Sequence, residues 1–266
     1  MAEPAVLTSV DARGVATVTF NRPEVNNAYN EELLLGVLAA IDSVERDPDA
    51  IRAIVIKGNG RHFQAGADLK WINSVRVKSP AENVAASRTT AQAVDRLNRL
   101  PMPVLALVQG GCFGGGTGVI SACDVVIAAD NALFSIAEVR WGLHPSVIIP
   151  HLNDAIGVRQ CRRYALTGER FGAEEAARIG LVHEVVPLAK LEARGAEVIA
   201  QILENNPKAI AKTKMHILEH AWGGFDAATL DGLIESHASA RQTADAAEGL
   251  ASFAEKRSAK WAPAKG

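Results

Sequence analysis

The chain opens on alternation. In Val15–Phe20 (VATVTF) apolar and small polar side chains alternate and β-branched residues dominate, which predicts a strand. Asn21-Arg22-Pro23 ends it, since proline has no N–H for a ladder. The period then lengthens. Across Glu31–Arg46, Leu34, Val37, Leu38 and Ile41 fall on one face at helical spacing, with Asn30 placed as N-cap and Asp47-Pro48 closing the last turn. Ile51–Lys57 (IRAIVIK) is a short, nearly continuous apolar run, the pattern of a strand covered on both faces, and Gly58-Asn59-Gly60 turns the chain after it. From about residue 73 to residue 87 the chain is polar and carries Pro80, and this stretch reads as a mobile or variable segment.

Further along, Ala91–Leu100 is helical and stops before Pro101-Met102-Pro103, and Val104–Val108 (VLALV) is another buried strand. Asp124–Ala129 and Ala132–Ile136 are short strands. Strands alternating with helices predict an α/β layered core. The character changes after Pro187. Residues 188–257 hold no convincing strand, and Ala, Glu, Lys and Leu recur at helical spacing, interrupted at Asn206-Pro207 and at Gly223-Gly224. Residues 1–190 are therefore read as the core and residues 191–266 as a helical appendage. An appendage of that shape packs against a neighbouring subunit, so an oligomer is expected.

Composition narrows the class. With 266 residues, 48% hydrophobic and 22% charged, a disordered chain is ruled out. The 28 basic and 30 acidic residues leave a net charge of −2, which provides no electrostatic ground for a nucleic-acid or anionic-membrane partner. Cys112, Cys123 and Cys161 form no CxxC pair, so a disulfide framework and a four-cysteine zinc site are both excluded, and Cys123 reads as core packing. No apolar stretch approaches the roughly 20 residues that span a bilayer. The first residues lack the basic start and apolar run of a signal peptide. A cytoplasmic enzyme or small-molecule binder is the expectation. His216 and His220 stand at i, i+4, but no HExxH surrounds them and no third ligand is suggested, so no metal is expected there.

Three segments carry candidate chemistry. Gln109–Asp124 (QGGCFGGGTGVISACD) places Gly110, Gly111, Gly114, Gly115, Gly116 and Gly118 directly after a strand and before a helix-like run. Glycines there let the backbone approach a ligand and present free N–H groups at a helix start. No GK[ST] follows, so this is no Walker loop, and a tight strand-to-helix crossing would need the same small residues. Phe63–Leu69 (FQAGADL) is a second small-residue loop after a strand, either a plain turn with Asp68 as N-cap or a second N–H donor. Two N–H groups aimed at one carbonyl oxygen make an oxyanion hole that stabilises an enolate. In the third segment Glu138 sits between apolar residues just after a strand. Its carboxylate either pairs with Arg140 or another cation, or has a raised pKa and carries protons. His144, before Pro145, reads as a cap or wall residue or as a second proton carrier, and the Gly168–Phe171 turn reads as structural.

Taken together these residues resemble the enoyl-CoA hydratase/isomerase (crotonase) family. The matching stretches are NRPxxxNA at Asn21–Ala28, FxAGADL at Phe63–Leu69, GGG followed by ACD up to Asp124, and AxFxxxE at Ala132–Glu138. LTGE at Leu166–Glu169, GLV at Gly180–Val182 and FAEKR at Phe253–Arg257 complete the order. The resemblance covers nearly the whole chain. It implies a crotonase-like α/β spiral of ββα units with a C-terminal α-helical trimerisation region, usually paired into hexamers. It also implies an acyl-CoA substrate with no separate cofactor, coenzyme A being part of the substrate. By position it assigns Ala67 and Gly115 as oxyanion-hole donors and Glu138 as the catalytic glutamate. Arg22, Val25, Ala65, Gly66, Asp68, Leu69, Gly114, Gly118 and His144 fall to substrate binding. Lys256 and Lys260 are placed to reach a neighbour's CoA phosphates.

One departure bears on mechanism. The family's two-glutamate hydratases carry the first glutamate two residues after the GGG triplet, and that place is Gly118 here. Three readings follow. A hydratase of branched, carboxylated enoyl-CoAs (the methylglutaconyl- or isohexenylglutaconyl-CoA type) brings its own carboxylate, so Gly118 would remove a like-charge repulsion and make room for the substituent. The substrate carboxylate, or a bound bicarbonate, would then help hold the water. A Δ3,Δ2-enoyl-CoA isomerase needs only one glutamate, and a degenerate CoA-binding scaffold needs none.

Overall fold

A computed structural model describes residues 3–221, 227–257 and 259–260. In chain order the first half runs β1 (Val6–Val10), β2 (Val15–Phe20), α1 (Glu31–Arg46), β3 (Ala53–Gly58), α2 (Leu69–Arg76), α3 (Pro80–Arg99) and β4 (Val104–Val108). Next come β5 (Gly111–Phe113), α4 (Gly115–Ser121), β6 (Val125–Ala129), β7 (Leu133–Ser135), α5 (Ile149–Thr167), β8 (Phe171–Gly172), α6 (Ala173–Arg178) and β9 (Glu184–Val186). Four helices follow: α7 (Leu191–Leu203), α8 (Pro207–Ala221), α9 (Ala227–Ala240) and α10 (Ala244–Ala254).

The larger sheet has the order β1-β2-β3-β4-β6-β9, antiparallel only at β1–β2 and parallel thereafter. β4 explains why its sequence reads as an unbroken apolar run. Val104, Ala106 and Val108 pack into the core shared with α1 and α3, while Leu105 and Leu107 face a second core built with Leu191, Val198 and Ile199 of α7. Both faces are dry, so every position is apolar. A smaller sheet, β5-β7-β8, lies beyond it. α1 has the bounds expected from the pattern, and the Asn30 side chain accepts the Leu33 N–H at 3.0 Å as its N-cap.

The segment read as mobile is helical, and this corrects the sequence expectation. α2 and α3 occupy residues 69–76 and 80–99. Pro80 begins a helix because it stands where no intrahelical N–H is needed, and Ser79 with Glu82 closes a capping box around it. Nor does the helical region stand apart from the core. α9 lies along α3, and α10 lies on the turn Glu138–Trp141. Lys214 of α8 reaches Asp124 at 2.7 Å, and the same carboxylate oxygen accepts the Val104 N–H, which gives the ACD motif a structural role. The Gly223-Gly224 break lies outside the described residues. Among those described, no helix is long and apolar enough to cross a membrane.

Candidate active site

Strand register brings the two glycine loops and the glutamate together. Gln64 bridges to Cys112 in parallel, which sets the FQAGADL loop beside β5. β5 pairs with β7 so that Phe113 faces Ser135, and the Gly114 N–H donates to the Ser135 carbonyl at 2.9 Å. The chain leaving β7 therefore delivers Glu138 against the start of α4. A Cβ placed on Gly114 would lie 2.9 Å from Glu138 Oε1, and Gly114 holds φ +49°, so glycine is required there by space and by conformation.

Two N–H groups are left over. The Tyr29 N–H donates to Gly66 O and the Asp68 N–H to Tyr29 O, both at 2.8 Å, which pins the peptides on either side of Ala67 and turns its own N–H outward. Gly115 opens α4, where the first N–H groups have no intrahelical acceptor. Among the described residues neither the Ala67 nor the Gly115 N–H meets an acceptor, and both residues line one cavity of about 610 Å³. The same cavity is lined by Glu138, Arg22, Val25, Ala65, Gly66, Asp68, Leu69, Gly114 and His144. The expected oxyanion donors, the glutamate and nearly all expected binding residues thus share one space.

Glu138 makes no ion pair with Arg140 among the described residues. Its Oε2 is sealed from solvent without a hydrogen-bond partner, although the residue as a whole is half-buried. Desolvation pushes its carboxyl up to about 7, opposed only in part by its own backbone N–H. A carboxyl poised near neutrality beside two free N–H donors can hand a proton to and from a substrate. Asp68 is the N-cap that the sequence offered, and it also holds an ion pair that the sequence did not suggest. It caps α2 by accepting the Lys70 and Trp71 N–H groups, and its Oδ2 pairs with Arg22 Nη2 at 3.0 Å.

Gly118 is placed differently. It is buried in α4 and does not line the cavity; a Cβ there would sit 2.3 Å from Ile148 Cγ2. The room expected at Gly118 is filled by Ile148, which corrects the idea that this glycine makes space for a substituent. His144 is a wall residue with Nδ1 against Ser146 Oγ, and burial lowers its pKa. Cys123 donates its thiol to Val119 O, and burial pushes that thiol up. No group of three or more His, Cys, Asp or Glu among the described residues could hold a metal, and the His220 side chain lies outside them.

Several lining residues carry no local signal of a site role in the sequence. Tyr29 is buried with its ring against Gly115, and Arg170, in the turn taken as structural, lies 5.3 Å over the Phe113 ring. Trp141, His237, Arg241 and Phe253 enter the cavity from the Glu138 turn and from the helical region. His237 and Arg241 are an i, i+4 pair, a spacing visible in the sequence, but nothing local says that their helix folds back over the cavity.

Comparison with known proteins agrees with this geometry. Residues 11–264 match the family model described as enoyl-CoA hydratase/isomerase. A hydroxycinnamoyl-CoA hydratase-lyase of Pseudomonas fluorescens is 36% identical over 204 residues, covering 76% of this chain and 74% of the relative. A trans-2-decenoyl-[acyl-carrier-protein] isomerase of Streptococcus mutans is 32% identical over 261 residues, covering 96% and 97%. The solved structure of an enoyl-CoA hydratase from Shewanella pealeana superposes with a TM-score of 0.79 at 33% identity, covering 97% of this chain and 96% of that one. With the family model spanning almost the entire chain, and the two glycine loops and Glu138 in one cavity, the protein is an enzyme of the enoyl-CoA hydratase/isomerase (crotonase) family, acting on CoA thioesters.

Proposed function

We propose that the chain is a hydratase that adds water across the double bond of a branched, carboxylated enoyl-CoA, with Glu138 as its single proton carrier. The observation that carries the reading is the Glu138 carboxyl, its Oε2 sealed from solvent and partnerless, held up to about 7, against Gly114 and in one cavity with the free Ala67 and Gly115 N–H groups. The thioester oxygen accepts from both N–H groups. Glu138, ionised, takes a proton from water as the water oxygen bonds to C3, and the double-bond electrons move onto the thioester oxygen as an enolate. The enolate then collapses and C2 takes that proton back from Glu138. One water supplies both the H and the OH, so one carboxyl suffices.

A carboxylated acyl group is supported by the charges around the cavity. Asp68 is already paired with Arg22, which leaves Glu138 as the unpaired acid among the lining residues, against Lys70, Arg170 and Arg241. Arg22 and its neighbours Val25, Ala65 and Leu69 would hold the CoA portion, and no separate cofactor is required. Bicarbonate is a further candidate anion for a substrate that lacks a carboxylate. In a trimer or dimer of trimers, Lys256 and the exposed Lys260 would approach a neighbour's phosphates, and light scattering on the purified protein measures that state. Isomerase action is a second reading, favoured by the single carboxylate and by the 32% identity to the decenoyl isomerase.

A turnover panel separates these readings. Crotonyl-CoA, 3-methylglutaconyl-CoA and a 3-enoyl-CoA are assayed with wild type and Glu138→Gln, with and without bicarbonate. Preferred hydration of the carboxylated ester, lost in Glu138→Gln, is the expected result. Turnover of the 3-enoyl-CoA alone would make the enzyme an isomerase.

A further inference from the structure

Arg241 is among the largest fully buried side chains of the described residues, at 1% exposure for the residue, yet it lines the cavity that holds Glu138. Its hydrogen-bond partners among the described residues are all neutral. Nε donates to Asn83 Oδ1 at 3.3 Å, Nη2 to Asn83 O and to Ser87 Oγ at 2.6 Å each, and Nη1 lies 3.2 Å from His237 Nδ1. Burial and the Arg241 charge hold His237 down to about 3, so the ring is neutral and its Nδ1 accepts. A guanidinium carries five N–H donors, and these contacts use four. The fifth, on Nη1, has no acceptor among the described residues, and no carboxylate pairs with Arg241 there.

Such an arrangement is costly for a protein that gains nothing from it. Arginine stays charged when buried, and a buried charge with only neutral partners is penalised by several kcal/mol unless a counter-charge arrives. Helix-to-helix tethering between α3 and α9 could be had from neutral side chains. The phenol of Tyr29, whose ring packs on the oxyanion residue Gly115, is pushed up by burial and by the Glu138 charge, with the Arg241 charge opposing, so both charges act within one enclosure.

We infer that Arg241 is the specificity-determining residue of the acyl end of the cavity, its free Nη1 N–H receiving the distal carboxylate of an unsaturated dicarboxylic acid bound as its CoA monothioester. The inference rests on the proposed function in that it takes the acyl group to occupy this cavity. It goes beyond that reading by assigning substrate recognition to the residue that follows α9. Asn83 and Ser87 are positioning residues, since they hold the guanidinium plane and leave Nη1 to the ligand.

Saturated esters test it without turnover. Isothermal titration compares glutaryl-CoA, which carries the carboxylate, with valeryl-CoA, which has the same chain length and none, on wild type, Arg241→Gln and Arg241→Lys. Wild type is expected to prefer glutaryl-CoA by about tenfold or more, and Arg241→Gln to weaken glutaryl-CoA by about 30-fold or more and erase the preference, with Arg241→Lys restoring part of it. If Arg241→Gln fails to fold, Arg241→Lys carries the comparison, and absence of the wild-type preference overturns the inference. Equal weakening of both esters in Arg241→Gln, the signature of a purely structural residue, overturns it as well. So does valeryl-CoA binding as tightly as glutaryl-CoA once bicarbonate is added, or a hydroxycinnamoyl-CoA that depends on Arg241 as strongly as glutaryl-CoA does. Because no chemistry is involved, a protein that binds glutaryl-CoA preferentially but hydrates nothing would sink the proposed function and leave this assignment standing.

Discussion

At the scale of a single residue, the proposed chemistry turns on Glu138. Its folded pKa of about 7 lies above the ordinary carboxyl value of 4.5, so between those two pH values the folded protein binds the proton more tightly than the unfolded chain. Stability from this group therefore falls as pH rises through that window and stays low above it, where burying the ionised carboxyl costs on the order of 3 kcal/mol. Glu138→Gln is expected to melt several degrees above wild type at pH 8 and level with it at pH 4. Its kcat is expected to fall by about 100-fold to 10,000-fold. Differential scanning calorimetry and initial-rate assays check the two halves, and a variant that melts lower at pH 8 would show the carboxyl to be structural. With the ionised form as base, kcat/KM rises with pH and reaches half its plateau near pH 7. A flat profile from pH 5 to pH 9 contradicts that.

Packing between elements decides what Gly118 can be. α4 is short and presses on the turn Ser146–Ile148, where Ile148 is itself only 2% exposed. Gly118→Glu drives a β-carbon into the Ile148 side chain and buries a charge, at a cost of about 1–3 kcal/mol for the overpacking alone. The variant is expected to melt lower and to gain no hydration of crotonyl-CoA. A second carboxylate therefore cannot simply be written back into the sequence. A folded Gly118→Glu protein with wild-type melting and new crotonyl-CoA activity would contradict the packing argument. The absence of that glutamate and the presence of Ile148 are one steric fact seen from two elements.

The cavity belongs to the whole chain, with lining from Arg22 to Phe253. α10 closes it by resting on the turn that carries Glu138. A Cβ on Gly249 would lie 2.3 Å from the Trp141 carbonyl, and the Trp141 and Phe253 rings meet edge to face with centroids 4.4 Å apart. Gly249→Val has to lift α10 from that turn, so kcat is expected to drop by about tenfold or more together with melting temperature, while the N-terminal sheet keeps its hydrogen-exchange protection. Unchanged kcat would mean that α10 covers the site without holding Glu138 in place.

Much of this was legible in the sequence for a physical reason: strand and helix periods, caps and glycine loops are local, and local chemistry leaves a local pattern. α1 with its Asn30 cap and the doubly covered β4 follow from such patterns, and the two glycine loops and Glu138 that the same patterns single out share one cavity. The segment around Pro80 misled because proline marks both an interruption and a helix start, and only the Ser79–Glu82 capping box distinguishes them. What the chain alone could not express is which distant surfaces meet. The choice between an ion pair and a desolvated carboxyl at Glu138, the filling of the Gly118 space by Ile148, and the arrival of Arg241 in the cavity all depend on contacts between residues far apart in the chain. Hydrophobic periodicity selects the elements, but burial, which sets pKa values and leaves charges unpaired, exists only once those elements have packed.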